Sequence, residues 1–323
     1  MDVASARGPI SPDLLGRTLM HEHVFVLTAE LQNNYPGRWD EAARVSDAVQ
    51  RLNRLKTAGI DTLVDLTILG QGRDVRRIKE VAAQTELNIL VATGYYTFDS
   101  LPPYFRWHAA GSGPGGTDPL TDMFIADIVQ GVGETGVRAA MIKGVTDAAG
   151  ITADVNRALH CVADAHRATG VPITTHSHAA TRRGLEQQRL FEQAGVDLTR
   201  VVIGHHGDST DIAYLEEILA GGSYLGMDRF GIDFMLSFEQ RVETVATLCQ
   251  RGHHDQIVLS HDAACYMDWF VDGSMSTRIP NWHFEHISND VLPALRARGV
   301  SDEQITTMMV DNPRRILNHD GPY

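Results

Sequence analysis

Short apolar, β-branched runs recur along the chain at residues 18–27, 62–67, 88–95, 139–145, 172–178, 201–207, 223–230 and 257–262. The intervals between them carry apolar positions at helical spacing, so the chain reads strand, helix, strand, helix eight times over. Several helix ends are legible. Ser46 is expected to cap a helix whose apolar face is Val49, Leu52 and Leu55, with Gly59 as its stop. Thr152 opens another, carrying Val155, Leu159 and Val162 and ending at Gly170. Ser237 with Gln240, and Ser301 with Gln304, have the spacing of capping boxes. Strands separated by helical crossovers must pair in parallel, and a parallel sheet must be covered by those helices. Two closures satisfy this, an open doubly wound sheet or a barrel. Eight units without a Gly-x-Gly-x-x-Gly after the first strand favour the α/β class as a (β/α)8 TIM barrel, with its active site at the C-terminal strand ends. No Ser/Pro linker or low-complexity tract divides the chain, so residues 1–323 are read as a single domain.

Composition narrows the partners. With 28 Lys and Arg against 41 Asp and Glu, the formal charge is −13, which argues against a nucleic-acid binder because such proteins meet phosphates with basic patches. The three cysteines, at 161, 249 and 265, form no CxxC and leave one unpaired in any disulfide scheme, pointing to a reducing compartment. No stretch approaches the roughly 18 uncharged apolar residues of a membrane span. The first residues lack a basic-then-apolar leader, so the expectation is cytoplasmic.

The unusual feature is 15 histidines in an acidic chain. Their positions matter more than their number. The first run holds His21-Glu22-His23, and strand alternation puts the two imidazoles on one face and Glu22 on the other. The fifth run ends Thr-Thr-His176-Ser-His178, the sixth Ile-Gly-His205-His206-Gly, and the eighth Leu-Ser-His261-Asp262. Imidazole and carboxylate are natural ligands for zinc and related divalent ions. Scattered solvated histidines would not keep choosing the C-terminal ends of strands.

Lys143 sits inside the apolar fourth run, Ala-Ala-Met-Ile-Lys-Gly-Val. A lysine there either pairs with a carboxylate or has its pKa lowered by burial among cations. In the second case its neutral amine can add carbon dioxide, and the resulting carbamate is an anionic oxygen ligand able to bridge two metals.

In order and spacing, His21, His23, Lys143, His176, His205 and Asp262 resemble the binuclear metal set of the amidohydrolase superfamily. Within it the chain resembles the phosphotriesterase family, most closely its phosphotriesterase-like lactonases. The text carrying this is Thr-Leu-Met-His-Glu-His, Ala-Thr-Gly-Tyr-Tyr, Ile-Gly-His-His-Gly-Asp, Gly-Met-Asp-Arg-Phe-Gly-Ile-Asp, Ser-His-Asp and the late Asn-Pro-Arg-Arg. The resemblance implies that His21, His23 and Asp262 hold one metal and His176 and His205 the other. Carboxylated Lys143 and a hydroxide would bridge them. Zinc is the first expectation, with cobalt, manganese or iron as alternatives. It further implies that the hydroxide attacks a lactone carbonyl, that Asp262 carries its proton to the leaving alkoxide, and that Tyr96 orients the ring.

Substrate contacts are expected from the loops at about 228–237 and 263–284, with Tyr96, Arg229, Phe230, Trp269 and Phe270 as candidates. Ile232, Phe234, Met235, Tyr266, Met267, Met275, Ile279 and Trp282 make the same segments apolar. An apolar mouth beside a metal centre suits a polar lactone head with an acyl tail, as in N-acyl-homoserine lactones. Competing readings are an organophosphate triesterase, a broad γ/δ-lactonase and a non-catalytic ligand-binding barrel; a homodimer is expected. Blander roles fall to Glu22, paired toward the helix layer, to His178, His206 and His261, and to the cysteines, with Cys265 as a small pocket residue. Phe98 departs from the lactonases, which often carry a second aromatic hydroxyl near that position.

Overall fold

The computed structural model describes residues 2–108, 110–270, 274–319 and 321–323. An antiparallel hairpin, Val3–Ser5 with Gly8–Ile10, precedes the main sheet. The strands that follow are β1 (Thr18–Val26), β2 (Thr62–Asp65), β3 (Asn88–Gly94), β4 (Met141–Val145) and β5 (Ile173–His176). Then come β6 (Val201–Ile203), β7 (Tyr224–Met227), β8 (Ile257–Leu259) and β9 (Ala264–Met267). All pair in parallel in the order β8-β7-β6-β5-β4-β3-β2-β1-β9.

The sheet curls into a TIM-type barrel. At the seam the His21 N–H donates to the Ser260 hydroxyl at 2.8 Å, the Asp262 N–H to the His21 carbonyl at 3.0 Å, and the His23 N–H to the Ala263 carbonyl at 2.8 Å. Alternation along the strands separates two cores. Val64, Leu90, Ala92, Met141, Val202 and Val258 fill the interior, where Leu15, Ile316 and Leu317 join them. Leu63, Ile89, Ile142, Val201 and Ile257 face outward into the layer of helices. Lys143, one residue beyond outward Ile142, therefore points inward and is fully buried.

Most helix ends follow the sequence. Thr152 accepts from the Val155 N–H, Gly170 takes φ +77° after the helix Ala153–Thr169, and both capping boxes form. One start differs: the helix with Val49 and Leu52 runs Glu41–Thr57 and is capped by Asp40, which accepts from the Ala43 N–H, leaving Ser46 inside it. The stretch 263–284 is also not one irregular loop, since β9 extends alongside β1 and a short helix, Ser274–Arg278, follows. The side chain of Met275 lies outside the described residues.

Candidate metal centre

Every run is longer than its strand, and for the sixth and eighth the site explains why. His205 and Asp262 adopt left-handed backbone conformations, φ +64° and +56°, which turn the chain out of β6 and β8 and aim both side chains at the barrel axis. Buried acceptors support both turns. The His205 N–H donates to Asp228 Oδ1 at 2.7 Å, and Glu22 receives the N–H groups on either side of Asp262. His21 and His23 share the inward face of β1, and Lys143 and His176 come from β4 and β5.

These six side chains converge. Lys143 Nζ lies 3.1 Å from His21 Nε2, which is 3.5 Å from Asp262 Oδ1. His23 Nε2 is 3.2 Å from the same oxygen, and His205 Nε2 is 3.7 Å from Asp262 Oδ2 and 2.8 Å from His176 Nδ1.

The hydrogen bonds on the far side of each ring decide which nitrogen carries the proton. His21 Nδ1 and His205 Nδ1 each face an oxygen of Asp228 at 2.9 Å, and a carboxylate only accepts. His176 Nε2 faces Asp147 Oδ2 at 2.8 Å. The Thr67 hydroxyl gives its proton to Asp65 Oδ1 at 2.6 Å, so it accepts from His23 Nδ1 at 2.8 Å. In the neutral rings, His21 Nε2 accepts from Lys143 Nζ, while the remaining nitrogens of His23, His176 and His205 present lone pairs to one another and to Asp262. Acceptors packed against acceptors are costly unless a cation lies between them, so the donor set fits divalent metal.

Burial disfavours the protonated form of three of these rings. It pushes His23 and His176 down to about 4 and His205 well below its ordinary value. Burial also pulls Lys143 down to about 8, against the opposing charges of Asp262 and Asp228. Desolvation raises Asp262, but His205, His21, His23 and Arg229 outweigh it and hold the carboxyl well below the usual range. The His176 hydrogen bond takes Asp147 to about 2.

A cavity of about 180 Å³ opens over the cluster, lined by His23, Lys143, His176 and Asp262 below and by Tyr96, Arg229, Ile232, Phe234, Met235, Met267, Trp269, Phe270, Ile279 and Trp282 around it. A larger cleft of about 520 Å³ lies elsewhere, around Arg73, Arg76 and Thr135, and holds no such convergence. Tyr96 stands with its ring centroid 5.6 Å from Lys143 Nζ and 5.6 Å from the His176 ring. Arg229 donates to Asp262 Oδ2 from Nε at 3.2 Å and to Asp208 from Nη1 at 2.9 Å.

Phe230 is a correction. Expected at the substrate, it is 1% exposed, packed in the outer core, and absent from the cavity lining, because the turn after β7 sends its ring into the core while Arg229 reaches the cavity. Cys265 is likewise a buried core residue and not part of that lining. His206 bonds the Tyr214 hydroxyl and the Gly204 carbonyl, and His178 bonds Thr181, all apart from the cluster. Glu22 pairs with His261. The Phe98 ring centroid lies 5.1 Å from the His176 ring, tilted by 37°, so an aromatic without a hydroxyl stands beside the cluster there.

Sequence reasoning passed over Asp228, Asp147, Asp65 and Thr67. Asp228 carried a usable signal, a carboxylate inside the apolar seventh run, where it directly follows β7. The other three could be recognised only once their histidine partners were placed.

Fold and site together define a hydrolase barrel, and the chain belongs to the phosphotriesterase family, whose model matches residues 1–317. Over 323 residues it is 55% identical to the phosphotriesterase homology protein of Mycobacterium tuberculosis, covering 100% of this chain and 99% of that one. It is 36% identical over 306 residues to the aryldialkylphosphatase of Saccharolobus solfataricus, covering 94% and 95% of the two chains. The solved phosphotriesterase structure from M. tuberculosis superposes with a TM-score of 0.96 at 55% identity, covering 100% of both chains. No helix among the described residues is long and apolar enough to cross a membrane.

Proposed function

We propose that this hydrolase opens the lactone ring of N-acyl-homoserine lactones, using two divalent metal ions. The carrying observation is the convergence of imidazole nitrogens, a carboxylate and a buried lysine beneath an apolar mouth. His21, His23 and Asp262 would hold one ion, His176 and His205 the other, and Lys143 as its carbamate would serve both. Bound there, the ions supply Lewis acidity toward the carbonyl oxygen and a water-derived nucleophile at neutral pH.

The remaining work falls to the chain's own groups. Asp262 accepts a proton at its carboxylate and returns it to the leaving alkoxide oxygen. Arg229, bonded to Asp262 Oδ2, keeps that carboxylate ionised and aimed. Tyr96 packs over the lactone ring, and Trp269 and Phe270 cover the acyl tail and exclude water.

Phosphotriester hydrolysis is a second reading, favoured by the similarity to a protein named aryldialkylphosphatase. A panel of homoserine lactones, simple γ- and δ-lactones and one phosphotriester, assayed before and after chelation, separates them. The expected result is highest kcat/KM on an acyl-homoserine lactone, abolished by chelation. A higher value on the phosphotriester overturns the lactone assignment, and activity that survives complete metal removal overturns the metal reading.

A further inference from the structure

Four of the six converging groups are imidazoles, each steadied through its outer nitrogen. Asp262 has no outer nitrogen, and its backbone occupies a conformation that L-residues rarely adopt, φ +56°. Arg229 bonds one of its carboxylate oxygens, so the placement of its backbone must come from elsewhere.

Glu22 supplies it. This carboxylate, on the outward face of β1 between His21 and His23, is fully inaccessible to solvent. Oε1 accepts from the His261 backbone N–H at 2.9 Å and from His261 Nδ1 at 2.7 Å, and Oε2 accepts from the Ala263 N–H at 2.9 Å. One side chain thus grips the residue before Asp262 and the residue after it. The partners leave no ambiguity about roles. The Ile287 N–H donates to His261 Nε2 at 3.0 Å, so in the neutral ring Nδ1 carries the proton. All three neighbours of Glu22 are donors, which favours the ionised carboxylate against the burial that pushes its pKa up. The Glu22 backbone is anchored as well, its carbonyl accepting from the Leu66 N–H at 2.8 Å. The gripped segment continues into the substrate mouth, because Trp282 Nε1 donates to the His261 carbonyl at 2.8 Å.

We infer that Glu22 is a positioning residue for the metal centre: by clamping residues 261–263 from both sides it holds Asp262 in its left-handed turn and sets the direction from which that carboxylate reaches the metal. This rests on the binuclear reading proposed above. A glutamine at this position keeps the size but replaces one acceptor with an NH2, and either orientation sets N–H against N–H. The clamp should then open on one side.

The test loads metal-free wild type and Glu22→Gln with cobalt(II), recording metal stoichiometry, affinity and the visible d–d spectrum, which reports ligand geometry independently of turnover. Wild type is expected to take up two cobalt ions. Glu22→Gln, with unchanged far-UV circular dichroism, is expected to bind the first ion about 10- to 100-fold more weakly and to show shifted d–d bands. Matching spectra and affinities overturn the positioning role while leaving the metal reading intact. A wild type that binds no cobalt overturns both. If Glu22→Gln does not fold, His261→Phe and His261→Asn decide. Phenylalanine removes the Nδ1–H donor, whereas the asparagine amide sits near the lost nitrogen and can donate the same bond. Weakened cobalt binding in His261→Phe with recovery in His261→Asn supports the clamp; identical behaviour of the two overturns it.

Discussion

His205 Nε2 and His176 Nδ1 face each other at 2.8 Å, and the outer nitrogen of each ring is bonded to a carboxylate, Asp228 and Asp147 respectively. Two lone pairs are thereby aimed at one point from β5 and β6. That relationship makes the centre a receptor for cations and leads to the following expectations.

Asp228 orients two imidazoles at once, His21 through Oδ2 and His205 through Oδ1. Asp228→Asn places an amide N–H against a ring N–H at one of them. Metal affinity should fall by about 10- to 100-fold, measured by competition with a chromogenic chelator. Retention of wild-type affinity would mean that the rings hold their orientation without it.

Lys143→Ala removes the group proposed above, as its carbamate, to serve both ions. Metal content should drop from two per chain to one or fewer, and kcat/KM by at least about 100-fold. Chelation of the wild type should lower its thermal midpoint, because metal bound only by the native state stabilises it by mass action. A Lys143→Ala protein with two ions and full activity would eliminate the carbamate.

Trp269 and Phe270 are 46% and 42% exposed at the mouth, so truncating them should cost little stability. Replacing both by alanine should lower the ratio of kcat/KM for long against short acyl chains by about 10-fold or more, since each buried methylene is worth about 0.8 kcal/mol. An unchanged ratio would place the acyl tail elsewhere.

Phe230→Ala should behave in the opposite way. It removes a fully buried ring from the outer core and should destabilise by about 3–5 kcal/mol in urea unfolding. The chain-length ratio, measured where the variant is folded, should match wild type.

The metal-free protein should lose stability in mild acid. Burial holds His23 and His176 at about 4 and His261 at about 3, each from an ordinary 6.5. As pH falls below about 6.5 the unfolded chain takes up these protons while the native state does not, so stability present at neutral pH is lost progressively toward pH 4. Each such proton is worth about 1.4 kcal/mol per pH unit. Urea midpoints between pH 7 and 4 test this, and a flat profile would show that these histidines take up protons in the native state as readily as in the unfolded chain.

Periodicity carried the strand–helix alternation, and the missing Gly-x-Gly-x-x-Gly favoured the barrel: eight apolar runs, their helical intervals and most caps correspond to elements seen, with β9 as the addition, because local alternation and capping are chemistry between near neighbours. The six converging residues were legible for a related reason, since a barrel delivers the C-terminal ends of all its strands to one place. What sequence could not determine is how that place is wired. Phe230 and Arg229 are adjacent in the chain, yet one enters the core and the other the cavity. Asp228, Thr67, Asp147 and Glu22 acquire meaning only through partners on other strands, Glu22 from 239 residues away in the case of His261. Hydrogen bonds are short and directional, so which proton sits on which imidazole, and which acid holds a ligand in a left-handed turn, were decided only when the barrel closed.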